Sequence, residues 1–218
     1  MKENSVFNKF SKEYDLWYKK QPGSLIIESE VKALKSLSIK GVGIEVGVGT
    51  GVFSERLGTS IGIDPSLEML KIAKTRGINV INGIGESLPI KNECLDYVLY
   101  IFTISFLKNI KSSIIEARRV LKPEGSIVIG FLSLTSKWGE FYLQKQREEH
   151  RFYKNARFYT KKEVEEILKQ FRFTISKISA TLTQPPRNFT KIEEPTSKIE
   201  NQGFICIKAE KKFNVNSN

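Results

Sequence analysis

Glu45-Val46-Gly47-Val48-Gly49-Thr50-Gly51 is the stretch on which the reading of this chain turns. Before it, Val42-Gly43-Ile44-Glu45-Val46 has the composition of a short buried strand, and after it the spacing predicts a helix from near Val52. A glycine-rich turn between strand and helix lets backbone N–H groups approach a ligand closely, where side chains would hold it away. A dinucleotide turn of the form G-x-G-x-x-G counted from Gly47 needs glycine at position 52. Val52 stands there, which argues against a nicotinamide or flavin site.

Downstream, a strand over 60–63 stops at Asp64-Pro65-Ser66, and Ser66 is placed to cap a helix running through 76. Further strands are expected over 80–82, 95–100 and 126–130, with a helix over 112–121 whose Ile114, Ala117 and Leu121 form a core-facing stripe. Lys122-Pro123-Glu124-Gly125 reads as a turn in which Gly125 takes the positive φ. Strands alternating with helices at this spacing give a doubly wound α/β fold with a mostly parallel sheet. A basic, aromatic stretch over 131–159, expected to be an inserted helix and loop, interrupts the rhythm. Thr160 and Glu163 then form a capping box for a helix with Val164, Ile167, Leu168 and Phe171 on one stripe. Strands over 173–180 and 203–208, joined by a long loop, complete the chain, and the residues after Lys211 are expected to be a disordered tail.

Upstream, Phe7, Phe10, Tyr14 and Trp17 recur at three- and four-residue steps and predict one helix over 7–18. Gln21-Pro22-Gly23 stops it, and a second helix follows through Ile27, Val31 and Leu34.

The chain has 218 residues, 40% hydrophobic and 27% charged, enough apolar content for one sizeable core and too much for a disordered polyelectrolyte. It shows neither a signal region nor an apolar run of bilayer length, so a cytoplasmic location is expected. Cys94 and Cys206 are too few for a disulfide framework or a cysteine-based metal site, and no metal is expected. The net charge of +11 is unevenly placed: residues 41–136 carry only +1, whereas 137–177 carry +5. Much of that excess alternates with glutamate, as on a solvated helix face, so nucleic acid is not the expected partner.

With these motifs in order, residues 41–130 resemble the S-adenosylmethionine-dependent methyltransferases of the Rossmann-like class, whose first motif is E/D-x-G-x-G-x-G. Asp64, Gly83-Ile84-Gly85-Glu86-Ser87-Leu88-Pro89, Leu95-Asp96-Tyr97-Val98-Leu99 and the run from Glu116 through Leu121-Lys122-Pro123-Glu124-Gly125 match in register. The set is most similar to the small-molecule enzymes of ubiquinone and menaquinone biosynthesis. The resemblance implies a seven-stranded, mostly parallel sheet with an antiparallel last strand. Residues 1–40 would form an N-terminal helical lid, 41–210 the methyltransferase domain with 131–159 as an acceptor-side insertion, and 211–218 the tail.

S-Adenosylmethionine is the implied cofactor and S-adenosylhomocysteine its product. Carried over residue by residue, the resemblance assigns Gly47, Gly49 and Gly51 to close backbone approach around the methionine and ribose. Glu45 would hold the cationic amino group, and Asp64 would accept from both ribose hydroxyls. Pro65 and Met69 would flank the adenine, with a core role the alternative for Met69. Gly85 and Glu86 would read its edge, although Ile84 replaces the aspartate many relatives carry. Ile101 would contact the methionine portion. The end of the fourth strand lacks the Asn/Asp-Pro-Pro-Tyr/Phe motif of exocyclic-amine methylation of DNA, and the chain has no Pro-Cys nucleophile.

Tyr14, Trp17, Tyr18, Phe102 and Tyr159 are the acceptor-pocket candidates. No general base stands out, and His150, in Arg147-Glu148-Glu149-His150-Arg151, reads as part of a solvated helix face. The inserted stretch over 131–159 is short for a nucleic-acid recognition domain, so a small-molecule acceptor is expected. The alternatives are an RNA or protein methyltransferase using the basic 137–177 flank, or a noncatalytic cofactor-binding protein.

Overall fold

A computed structural model describes residues 2–212 of the chain. Its elements run α1 (Lys2–Lys9), α2 (Ser11–Trp17), α3 (Gly23–Ser36), β1 (Gly43–Val46), α4 (Val52–Leu57), β2 (Ile61–Asp64), α5 (Leu67–Thr75), β3 (Asn79–Asn82) and β4 (Leu95–Ile101). After a short 3-10 turn at Thr103–Ser105 come α6 (Ile110–Val120), β5 (Leu121–Leu132), α7 (Lys137–Arg147), α8 (Lys161–Gln170), β6 (Phe173–Thr181) and β7 (Phe204–Lys211). The seven strands form one sheet of order β3-β2-β1-β4-β5-β7-β6. Only β7 is antiparallel, pairing with both β5 and β6.

Strand β4 shows why the sheet needs helices on both faces. Tyr97, Leu99 and Ile101 join the core that contains Leu34, Val52 and Trp138, whereas Val98 and Tyr100 join the one that contains Ile114 and Leu168. Successive residues of a strand point to opposite faces, so a central strand apolar at every position must be covered twice. From β1 the chain crosses to β2 on one side, while β4 pairs on the other. This divergence opens a crevice at the carboxyl ends of β1, β2 and β4, the usual ligand position in such sheets.

Local signals hold at most boundaries. The Ser66 hydroxyl accepts from the Met69 N–H at 3.3 Å and caps α5, and the Thr160–Glu163 capping box opens α8. Three expectations are corrected. The helix expected over 7–18 breaks at Phe10, whose φ of −117° and ψ of 20° are not helical. Its ring lies 4.4 Å from the Arg151 guanidinium and edge-on to Phe152, so tertiary packing overrides the local periodicity. Where a turn was expected over 122–125 the chain is already in β5, and the positive φ of 64° falls on Glu124, not on Gly125. A Cβ at Gly125 would stand 3.0 Å from the Lys122 carbonyl oxygen, so glycine serves close packing there. Finally, β7 extends through Lys211 because its pairing with β6 continues to Phe173, and the rest of the expected tail, 213–218, lies outside the described residues. Among the described residues no helix is long and apolar enough to cross a membrane.

Candidate active site

At the end of β1 the Gly47 and Val48 N–H groups donate to the Ile63 carbonyl oxygen, at 2.7 and 3.1 Å, and fix the turn to β2. Gly47, Gly49 and Gly51 all adopt left-handed φ, at 70°, 52° and 78°. Their surroundings differ. A Cβ on Gly47 would come within 2.4 Å of the Thr103 side chain, and one on Gly51 within 3.1 Å of Ala73 in α5, whereas Gly49 has nothing within 4 Å.

Gly47 and Gly49 line a cavity of about 140 Å³ together with Asp64, Pro65, Met69, Gly85, Glu86 and Ile101. Eight of the ten residues assigned to the cofactor thus converge. Gly51 does not line the cavity: it starts α4 and packs on α5. Glu45 lies beneath the turn, buried, and accepts a 2.5 Å bond from the Ser54 hydroxyl. Burial pushes its carboxyl up to about 8, against the opposing pull of the Ser54 bonds.

Asp64 accepts from the Gly49 N–H at 2.9 Å and the Ser66 N–H at 2.8 Å. Burial raises its pKa, and these two backbone donors hold it down. Glu86 is already engaged, accepting from the Lys108 and Asn109 N–H groups at 2.9 and 3.2 Å before α6. Thr103, which motif reading missed, ties the ends of two strands together, its hydroxyl donating to the Val46 carbonyl oxygen at 2.7 Å. Phe7, Tyr14, Ile84, Phe106 and Leu107 complete the walls.

A second cavity, of about 330 Å³, adjoins the first across Phe7, Tyr14, Phe102 and Phe106, which line both. Tyr14, Trp17, Tyr18 and Phe102, four of the five acceptor-pocket candidates, line it, and Trp138, Phe141, Tyr142, Phe152 and Tyr153 from the inserted segment join them. Tyr159 does not. It is 3% exposed, packs in the core, and lies beside Ser133 in a bridge that fixes the entry to α8. His150 is likewise not on a helix face: α7 ends at Arg147, the chain turns through Glu149 at φ 54°, and the imidazole lines this cavity stacked on Tyr153 at 5.1 Å. Burial and the nearby Lys145 and Arg151 push its pKa down.

Glu30 was also missed, although the sequence carries a signal for it. Ile26, Ile27, Glu30, Val31 and Leu34 form the helical spacing of α3, placing a carboxylate on its buried stripe.

The α1–α2 segment closes over both cavities. Asn8 Oδ1 accepts from the Ser66 hydroxyl at 2.8 Å and the Glu68 N–H at 3.1 Å, anchoring α1 to the start of α5. Arg76, the residue that ends α5, lies 2.8 Å from Asp15 of α2 and donates to the Thr50 carbonyl oxygen at 2.8 Å.

A family profile described as a methyltransferase domain matches residues 44–129. An uncharacterized protein of Methanocaldococcus jannaschii is 42% identical over 207 residues, covering 95% of this chain and 99% of its own. A crystal structure from Thermotoga maritima, described as a SAM-dependent methyltransferase and possible histamine N-methyltransferase, superposes with a TM-score of 0.90. It is 34% identical and is matched over 95% of this chain and 99% of its own. Demethylmenaquinone methyltransferase of Tropheryma whipplei is 34% identical over 97 residues, 39% of each chain.

Proposed function

This chain belongs to the S-adenosylmethionine-dependent methyltransferases, and we propose that it transfers the methyl group to a small molecule held in the aromatic cavity. The observation that carries this reading is the shared wall: Phe7, Tyr14, Phe102 and Phe106 line both the crevice with Gly49 and Asp64 and the larger cavity beside it. At about 330 Å³ that cavity falls in the range of small-ligand sites. The basic flank gives little support to a macromolecular acceptor, since Arg151 pairs with Glu13, Lys161 with Glu165 and Arg157 with Glu163.

When bound, the cofactor supplies a methyl group on a cationic sulfur, displaced in line by an acceptor lone pair as the sulfur leaves as a neutral thioether. The residues present fit it. Gly49 offers open space before its backbone. Asp64 is the acceptor for ribose hydroxyls, through the lone pairs that its two backbone N–H donors leave free. Pro65, Met69, Ile84 and Leu107 provide an apolar slot for adenine, and Glu45 beneath the turn is the counter-charge for the amino group, reached directly or through water.

The cofactor cavity, at about 140 Å³, is below the roughly 300–1000 Å³ usual for ligand sites. The α1–α2 segment would therefore act as a lid, withdrawing Phe7 and Tyr14 to admit the cofactor and returning to exclude water. The deciding experiment follows labelled methyl from S-adenosylmethionine into cell extract separated into small-molecule, RNA and protein fractions, with Asp64→Ala as the control. Label in the small-molecule fraction supports this reading, and label in RNA or protein overturns it.

A further inference from the structure

Glu30 projects from α3 into the aromatic cavity and is only 3% exposed. Among the described residues no hydrogen bond or ion pair reaches its carboxylate, and burial alone raises its pKa well above the usual carboxylate range. Its charge acts on four tyrosines, Tyr14, Tyr18, Tyr142 and Tyr153, whose hydroxyls burial already pushes upward. A buried carboxylate without a partner is costly, and a fold that keeps one on the apolar stripe of a helix pays for it unless an incoming group supplies the opposite charge. Aromatic faces attract cations through their quadrupoles, and rings arranged around an ammonium group are a recurrent way of holding one.

Other charges at this cavity are differently disposed. Arg151 pairs with Glu13 at 3.1 Å and lies over the Phe10 ring, and Lys145 lies over the Phe141 ring at 5.0 Å. Both cations therefore already have partners, which leaves Glu30 as the acid without an ionic partner, its ionised form disfavoured until a cation enters.

We propose that the aromatic cavity receives an organic cation, a protonated amine, with Glu30 as its counter-ion and the tyrosine and tryptophan rings as its walls. This rests on the reading that the cavity is the acceptor site, and it narrows that site to one chemical class: the ammonium gives its proton to the Glu30 carboxylate, and the nitrogen lone pair so freed attacks the methyl carbon as the sulfur leaves.

The test is made on the full chain loaded with S-adenosylhomocysteine, whose own binding is measured first by calorimetry. Thermal shift and calorimetry then compare 2-phenylethylamine, a short alkylamine and a diamine with their matched alcohols and carboxylates. The amines are expected to bind, and the matched alcohols and carboxylates to bind roughly tenfold or more weakly. Glu30→Gln, checked for cooperative unfolding, should reduce amine binding by a similar factor and leave alcohol binding unchanged. Alcohols or carboxylates binding as well as the amines, no binding by any amine, or equal amine binding by E30Q would each overturn the proposal. Failure of S-adenosylhomocysteine to bind would instead strike the methyltransfer reading, so the two failures are told apart.

Discussion

Glu45, buried beneath the glycine-rich turn, and Asp64, half-buried at the crevice, are prepared differently by their surroundings. Asp64 has two backbone N–H donors to its carboxylate, whereas Glu45 has the Ser54 hydroxyl and is raised to about 8. In the unfolded chain Glu45 titrates near 4.5, so between about 4.5 and 8 the unfolded state ionises while the folded state keeps its proton. The contribution of Glu45 to stability therefore falls as pH rises through that window and levels off above it. Urea unfolding should show this decline in the wild type relative to Glu45→Gln, and parallel curves would refute it. An ammonium beside Glu45 favours its ionised form, so binding of S-adenosylmethionine should release a proton below about pH 8. Calorimetry in two buffers of different ionisation enthalpy reads that release, which E45Q should abolish. Asp64→Ala should weaken cofactor binding by about 1–3 kcal/mol, and unchanged affinity would remove Asp64 from the site. Gly47, Gly49 and Asp64 were legible because a turn and a strand end announce themselves in consecutive residues. Glu30 and Thr103 were not singled out, since their importance lies in what other elements bring to them.

Among the elements, α2 and α5 are joined by Arg76 and Asp15, whose side chains are 11% and 7% exposed. Arg76 also pairs with Glu55 at 3.0 Å and bonds the carbonyl of Thr50 in the glycine-rich turn, so one guanidinium joins two helices and the turn to α5. Removing it leaves a buried acid with only Lys19, 3.0 Å away, as ionic partner. Arg76→Ala is expected to cost about 3 kcal/mol, read as a lower urea midpoint with unchanged slope. Thr160→Ala should cost about 1 kcal/mol through loss of the capping box. The box was readable because its residues are three apart. The break at Phe10 was not, because Arg151 and Phe152, which hold its ring, lie some 140 residues away in sequence.

At the scale of the whole molecule, the +11 charge and the two cavities are largely separate matters. The cofactor cavity is lined by no lysine or arginine among the described residues, so S-adenosylmethionine affinity should change little between low and high salt. A steep salt dependence would point to surface cations outside that wall. The doubly wound, mostly parallel sheet followed from alternation of strand and helix, but the aromatic cavity is assembled from α1–α3, the end of β4 and the segment around α7, elements that only the tertiary fold brings together. The anchoring of Asn8 on Ser66 and Glu68 has a kinetic consequence. Because the same segment supplies Phe7 to both chambers, the proposed lid predicts that cofactor and acceptor will not exchange independently while that anchor holds. Turnover should follow a compulsory sequence, with the cofactor first in and its demethylated product last out, and a cofactor molecule trapped beneath α1 should react in preference to one added later.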